Sequence, residues 1–193
     1  MDPIDLSQAL IRCPSVTPAD EGAMDVLQSA LEELGFTCHR LPFATGNAPE
    51  VQNLYARIGD RAPNFCFAGH TDVVPVDGQA WDTDPFTVTE KDGRYYGRGA
   101  CDMKGFDALA IWALVEAHYA DVKRPLQIAL SFDEEIGCTG APPMIQAMQG
   151  VVPKGSAVIV GEPSTMQAVT GHKGGIGFNT HLVGFEVHSS LLH

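Results

Sequence analysis

The chain has 193 residues, enough for one domain or for one domain and part of another. Hydrophobic residues make up 45% and charged residues 19%, which supports a sizeable core and excludes global disorder. The 12 Lys and Arg against 24 Asp and Glu leave a net charge of −12, and so acidic a surface repels phosphate backbones and anionic lipid. No nucleic-acid partner and no membrane partner are expected.

Asp2-Pro3 sets a capping residue before proline at the first helical position and predicts a helix to about Arg12. Cys13-Pro14-Ser15-Val16-Thr17-Pro18 breaks it. Residues 20–34 place Met24, Leu27, Leu31 and Leu34 at helical spacing, with Gly35 as the stop. Strands are predicted over 37–41, 53–58 and 64–68. Residues 104–118 are apolar at helical spacing and longer than a typical strand, which predicts a buried helix. Strands follow over 126–132 and 157–160, with a short helix near 143–148 between them. This alternation predicts an α/β sheet covered by helices. Composition shifts at Gly171-His172-Lys173-Gly174-Gly175, after which 176–187 is strand-like. A single strand makes no domain, so residues 1–174 are expected to be an incomplete first domain and 175–193 the beginning of a second.

The longest apolar run, 108–115, is far short of the roughly 20 residues a membrane span needs. Met1-Asp2-Pro3-Ile4-Asp5 is acidic where a secretion signal is basic, so a cytoplasmic location is expected. The five cysteines, Cys13, Cys38, Cys66, Cys101 and Cys138, are odd in number and lack any C-x-x-C pair. Neither a disulfide framework nor a structural zinc knuckle looks like that, and buried, inert thiols are expected for most of them.

Residues able to do chemistry fall where strands end or helices begin. Phe65-Cys66-Phe67-Ala68 runs into Gly69-His70-Thr71-Asp72, the strand after Leu126 runs into Asp133-Glu134-Glu135, and Val158-Ile159-Val160 runs into Gly161-Glu162-Pro163. Asp102 stands just before the helix that begins at Lys104. Ligands of open α/β sheets bind beyond the carboxyl ends of the strands, so these groups can converge although distant in sequence. Several carboxylates gathered without cations repel one another and protonate. A divalent metal resolves that conflict, and one imidazole with Asp and Glu suits zinc, manganese or cobalt. The H-x-D spacing puts His70 and Asp72 on one side of an extended chain, where Asp72 can hydrogen-bond and orient the imidazole. Glu134 and Glu135 point apart, so one can bind metal while the other serves a water as general base. Each pair alone is common at solvated strand ends; the combination is not.

Other motifs fail. Gly97-Arg98-Gly99-Ala100-Cys101-Asp102 lacks the third glycine of a phosphate loop, and Gly171-His172-Lys173-Gly174 has neither spacer nor Ser/Thr of a Walker loop. No G-x-S-x-G elbow occurs. Cys101 is expected to pack, and His39, His118, His181 and His193 have no partner pattern.

Gly69-His70-Thr71-Asp72-Val73-Val74-Pro75 is followed in order by Trp81…Asp84-Pro85-Phe86, Tyr96-Gly97-Arg98-Gly99…Asp102-Met103-Lys104-Gly105, Asp133-Glu134-Glu135 and Gly161-Glu162-Pro163. The set resembles the zinc-dependent amidohydrolase and metallopeptidase family of acetylornithine deacetylase, succinyl-diaminopimelate desuccinylase and aminoacylase. His172-Lys173-Gly174 and Gly184-Phe185-Glu186-Val187-His188-Ser189-Ser190 look most like the acetylornithine deacetylase branch.

The resemblance implies a zinc-exopeptidase-like α/β fold, a mixed sheet flanked by helices, with the start of a smaller α+β lid and dimerisation domain. It implies that His70, Asp102 and Glu162 hold one Zn2+, and that Asp102 bridges to a second held by Glu135. Co2+ or Mn2+ is an alternative metal. Glu134 is implied as general base, Asp72 as the orienter of His70, and His188 as a lid residue that reaches a partner's active site and stabilises the oxyanion. A cis Asp102–Met103 peptide is implied too. The family's last histidine ligand has no match here, since His193 falls too early, so at most one tightly held zinc and weak hydrolysis are expected of residues 1–193. The implied reaction is amide hydrolysis of a small N-acyl-amino acid by a homodimer, N-acetylornithine giving ornithine and acetate in arginine biosynthesis. Desuccinylation, general aminoacylase activity and an inactive metal-binding fragment are the alternatives.

Overall fold

The computed structural model describes residues 1–44, 49–120, 122, 124–150, 152–171 and 173–184. The chain divides into two compact units, Met1–Pro163 and Ser164–His193.

The first unit begins with α1, Pro3–Ile11, whose Asp2 carboxylate accepts from the Ile4 N–H at 2.8 Å. The second helix, α2, covers Ala23–Glu33 rather than starting at 20. Asp20 is spent outside it, accepting from the Gly22 and Met24 N–H groups that the first turn leaves orphaned. Gly35, with φ 80°, ends the helix as expected. Strands β1, Thr37–Phe43, and β2, Val51–Ile58, pair antiparallel. β3, Phe65–His70, runs two residues further than its hydrophobic run and takes in Gly69 and His70.

A two-stranded ribbon of β4, Thr89–Lys91, and β5, Arg94–Tyr96, follows. Its turn is Asp92-Gly93, both at positive φ, the primed geometry that fits the twist of a hairpin. This ribbon is not among the strands predicted above, although Asp92-Gly93 is a hairpin signal. Next come α3, Lys104–Tyr119, β6, Leu126–Ser131, α4, Ala141–Met148, and β7, Ala157–Val160. α4 starts earlier than expected because Pro142 and Pro143 both fit its first turn.

The main sheet has the order β1-β2-β6-β3-β7. β2 pairs antiparallel with β6, whereas β3 pairs parallel with both β6 and β7. Side chains alternate across it. Leu54, Ala56, Ile128 and Leu130 join Leu10, Leu27, Leu31, Ile111 and Leu114 of α1, α2 and α3 in the larger core. Tyr55, Cys66 and Ala129 meet Met144 of α4 on the other face. This is the mixed, helix-flanked α/β sheet the sequence predicts. The α3 helix is less buried than expected, since Leu109 and Trp112 lie on an exposed side. No described helix is long and apolar enough to cross a membrane.

In the second unit the described residues form neither helix nor strand. The strand expected over 176–187 is absent from 176–184, and 185–187 lie outside the described residues. A strand needs a neighbour for its N–H and C=O groups, and Ile176, Phe178 and Leu182, each at least 80% exposed, have none to pack on.

Candidate metal centre

The register of the parallel strands builds the site. His70 pairs with Ser131 across β3 and β6, and Ala68 with Val160 across β3 and β7, so three strands end at one edge of the sheet. The segments leaving that edge carry Asp72, Glu134, Glu135 and Glu162. Asp102 stands two residues before α3, and the peptide that joins it to Met103 is cis, as expected.

Two glycines let the helix close on these strand ends. A Cβ on Gly69 would stand 2.3 Å from Asp107 Oδ1, and one on Gly161 would stand 2.0 Å from the Phe106 ring. Both glycines immediately precede a site residue, His70 and Glu162. Only a bare Cα allows the first turn of α3 to sit there.

His70 is buried and its Nε2 faces the carboxylates: 3.2 Å from Asp102 Oδ1, 3.8 Å from Glu162 Oε1 and 3.8 Å from Glu134 Oε2. One ligand atom each from His70, Asp102 and Glu162 all lie within 4.8 Å of one another. A nitrogen and two carboxylate oxygens converging from three separate segments fit a divalent cation. Among the described residues no second group of three comes together. Glu135 sits at the margin, its carboxyl raised above the ordinary range by burial and by the charge of Asp102. Glu162 is raised as well, chiefly by burial, with Asp102 and Glu134 adding repulsion.

The imidazole registers the charge of the cluster. Burial alone lowers the pKa of His70, but Asp72, Glu162 and Glu134 outweigh it and hold the ring up to about 10. The charge gathered around the ring is therefore strongly negative, which favours a cation at Nε2.

Asp72 meets the ring through two groups. His70 Nδ1 meets the backbone carbonyl of Asp72 at 2.9 Å, while the carboxylate Oδ1 stands 3.5 Å away. That carboxylate is turned toward the Glu135 N–H, from which Oδ2 accepts at 3.1 Å. The carbonyl is thus the nearer partner of Nδ1, with the carboxylate beside it, and the carboxylate's second oxygen ties down the Glu135 loop.

Several groups nearby belong to none of the motifs above. Cys138 donates its thiol to Glu134 Oε1 at 3.1 Å. Together with Cys101 it is exposed, against the expectation of mostly buried thiols and of a packed Cys101; Cys66 alone is fully inside. Lys104 is buried, and its Nζ donates to the Cys13 carbonyl at 2.5 Å; burial brings it down to about 8. Asp107 is buried with neither oxygen partnered, and burial pushes its carboxyl well above the usual range. A lone acid in the apolar run of α3 was its only signal. His188, His172 and His193 lie outside the described residues.

Residues 66–188 match the model of peptidase family M20/M25/M40. A succinyl-diaminopimelate desuccinylase of Rhodospirillum centenum is 45% identical over the whole of this chain and 52% of its own length. One from Caulobacter sp. strain K31 is 50% identical over 86% of this chain and 42% of its own. The fold is that of human carnosine dipeptidase 1, with a TM-score of 0.72 and 24% identity over 82% of this chain and 38% of that one. It is also that of a dinuclear metal-binding M20 peptidase of Bacillus subtilis, at 0.59 and 21% over 82% and 41%. The chain belongs to the M20/M25/M40 peptidase family, whose members include metal-binding hydrolases. It spans about half the length of the curated relatives it matches.

Proposed function

We propose that the protein hydrolyses the amide bond of a small N-acyl-amino acid. The observation that carries this reading is the meeting of a buried His70 with Glu162 and Glu134 at the ends of parallel strands and with Asp102 from the segment before α3. His70, Asp102 and Glu162 would hold one metal, and Asp102 with Glu135 part of a second. Zinc is the metal we propose; the donor set also suits cobalt or manganese. A divalent ion held there supplies Lewis acidity toward the amide carbonyl and the attacking water. Glu134, half-exposed and within reach of the cluster, takes the water's proton and hands it to the departing amine. Asp72 keeps Nδ1 of His70 engaged so that Nε2 faces the metal. His188, residues 1–174 as the catalytic portion, 175–193 as the start of a lid, a homodimer and a cytoplasmic location complete the proposal on the strength of the sequence resemblance.

Two acyl groups compete. The names of relatives 40–50% identical support N-succinyl-diaminopimelate. His172-Lys173-Gly174 and the 184–190 segment support N-acetylornithine. Turnover of both by the full-length protein, with Glu134→Gln as control, decides between them. We give the succinyl substrate precedence because the similarity behind it covers the whole chain. Faster deacetylation reverses that order, and no hydrolysis of either overturns the reading.

A further inference from the structure

Residues 13–17 mark only a break between helices in the sequence, yet in the fold they touch the neighbours of nearly every site residue. Buried Ser15, at φ 42°, donates its hydroxyl to the Thr71 carbonyl at 2.6 Å, and its own carbonyl accepts from the Val73 N–H at 3.1 Å. Val16 bridges Val73 in parallel. Successive peptide groups of an extended chain face opposite sides. Pinning Thr71 O and Val73 N toward Ser15 therefore turns the intervening Asp72 carbonyl the other way, where it meets His70 Nδ1 at 2.9 Å. Thr17 Oγ1 donates to Asp133 Oδ1, and Asp133, at φ 61°, immediately precedes Glu134. The carbonyls of Cys13 and Pro14 accept from Lys104, two residues beyond Asp102.

We propose that Ser15-Val16-Thr17 is a positioning strap that sets the geometry between the metal ligand His70 and the base Glu134. Ser15 acts through the Asp72 carbonyl, which fixes the imidazole nitrogen presented to the metal. Thr17 acts through Asp133, which fixes the loop that brings Glu134 Oε2 to 3.8 Å from His70 Nε2. The proposal rests on the roles assigned to His70 and Glu134 above. It divides the labour: Ser15 governs metal affinity, Thr17 the chemical step.

The test uses the full-length protein with zinc affinity from chelator competition, the visible spectrum of the cobalt-loaded form, steady-state kinetics and thermal melts. Ser15→Gly removes the hydroxyl while suiting the positive φ, so the fold is kept. It should weaken zinc binding about 10–100-fold and alter the cobalt spectrum, as loss of groups that orient ligands does. Thr17→Val should lower kcat about 10–100-fold with KM and zinc affinity within about twofold, and Thr17→Ser should restore it. Unchanged metal affinity and spectrum in Ser15→Gly, or Thr17→Ser as impaired as Thr17→Val, overturns the strap. His70→Ala separates the premise from the proposal. If it leaves zinc affinity intact, the ligand reading fails; if it abolishes binding while Ser15→Gly does not move it, the strap fails.

Discussion

The two halves of the five-stranded sheet are put to different uses. β1 and β2 run antiparallel to each other, and β2 antiparallel to β6. Leu54 and Ala56 there are wholly buried and add apolar surface to the larger core. β3, β6 and β7 run parallel, which places their carboxyl ends side by side and lets a buried imidazole meet Glu134 and Glu162, with Asp102 added from the segment before α3. Antiparallel neighbours send their ends to opposite edges and cannot do this. Strand direction, more than strand composition, decides which half carries the chemistry.

That division predicts a clean separation of effects. The largest belongs to Glu134→Gln in the full-length protein, which should lose about 10²–10⁴ in kcat while its melting curve stays put. Leu54→Ala should do the reverse, costing about 2–5 kcal/mol in denaturant melts with kcat of the folded enzyme unchanged. A catalytic loss in Leu54→Ala would erase the distinction between the halves.

Gly69→Ala and Gly161→Ala test the join between α3 and the parallel strands. Each should cost about 1–3 kcal/mol by overpacking, and each should also weaken metal binding, since the displaced residue is next to a ligand. Stability loss without metal loss would show the helix to be a mere cover.

A last effect is one of pH. With His70 held near 10, metal must displace its proton, so apparent affinity should rise about tenfold per pH unit through the neutral range. In the metal-free protein the same shift stabilises the fold fully below the imidazole's ordinary 6.5 and is lost as pH rises through about 10. Calorimetry in buffers of different ionisation enthalpy reads the released proton directly. A flat profile would mean that Nε2 carries none.

The parts legible in the sequence were those with a period or a boundary. Met24, Leu27 and Leu31 announce a helix by spacing, and His70 and Glu162 announce themselves by ending apolar runs. The strap was illegible because its work is done by hydroxyls and backbone carbonyls, for which Cys13 to Pro18 shows no pattern beyond a helix break. Asp72's part was half legible: the spacing put it beside His70, but which of its oxygens the ring meets depends on Glu135 N–H, a tertiary contact. The strand expected over 176–187 is absent from its described part, 176–184, for the opposite reason. Alternation shows that a segment suits a sheet, not that a neighbour is there to receive it.

The order of strands across the sheet also bears on how the protein is made. β3 ends at His70, yet its two neighbours begin only at Leu126 and Ala157, so during synthesis its backbone has nothing to pair with for a long stretch of chain. Such non-local pairing is slow and leaves an apolar strand open to wrong partners meanwhile. His70, Asp102 and Glu162 can share an ion only after Glu162 itself has left the ribosome. On the proposed ligand set, metal capture therefore waits for β7 and the Gly161-Glu162 segment beyond it, a seal rather than a seed around which these strands gather.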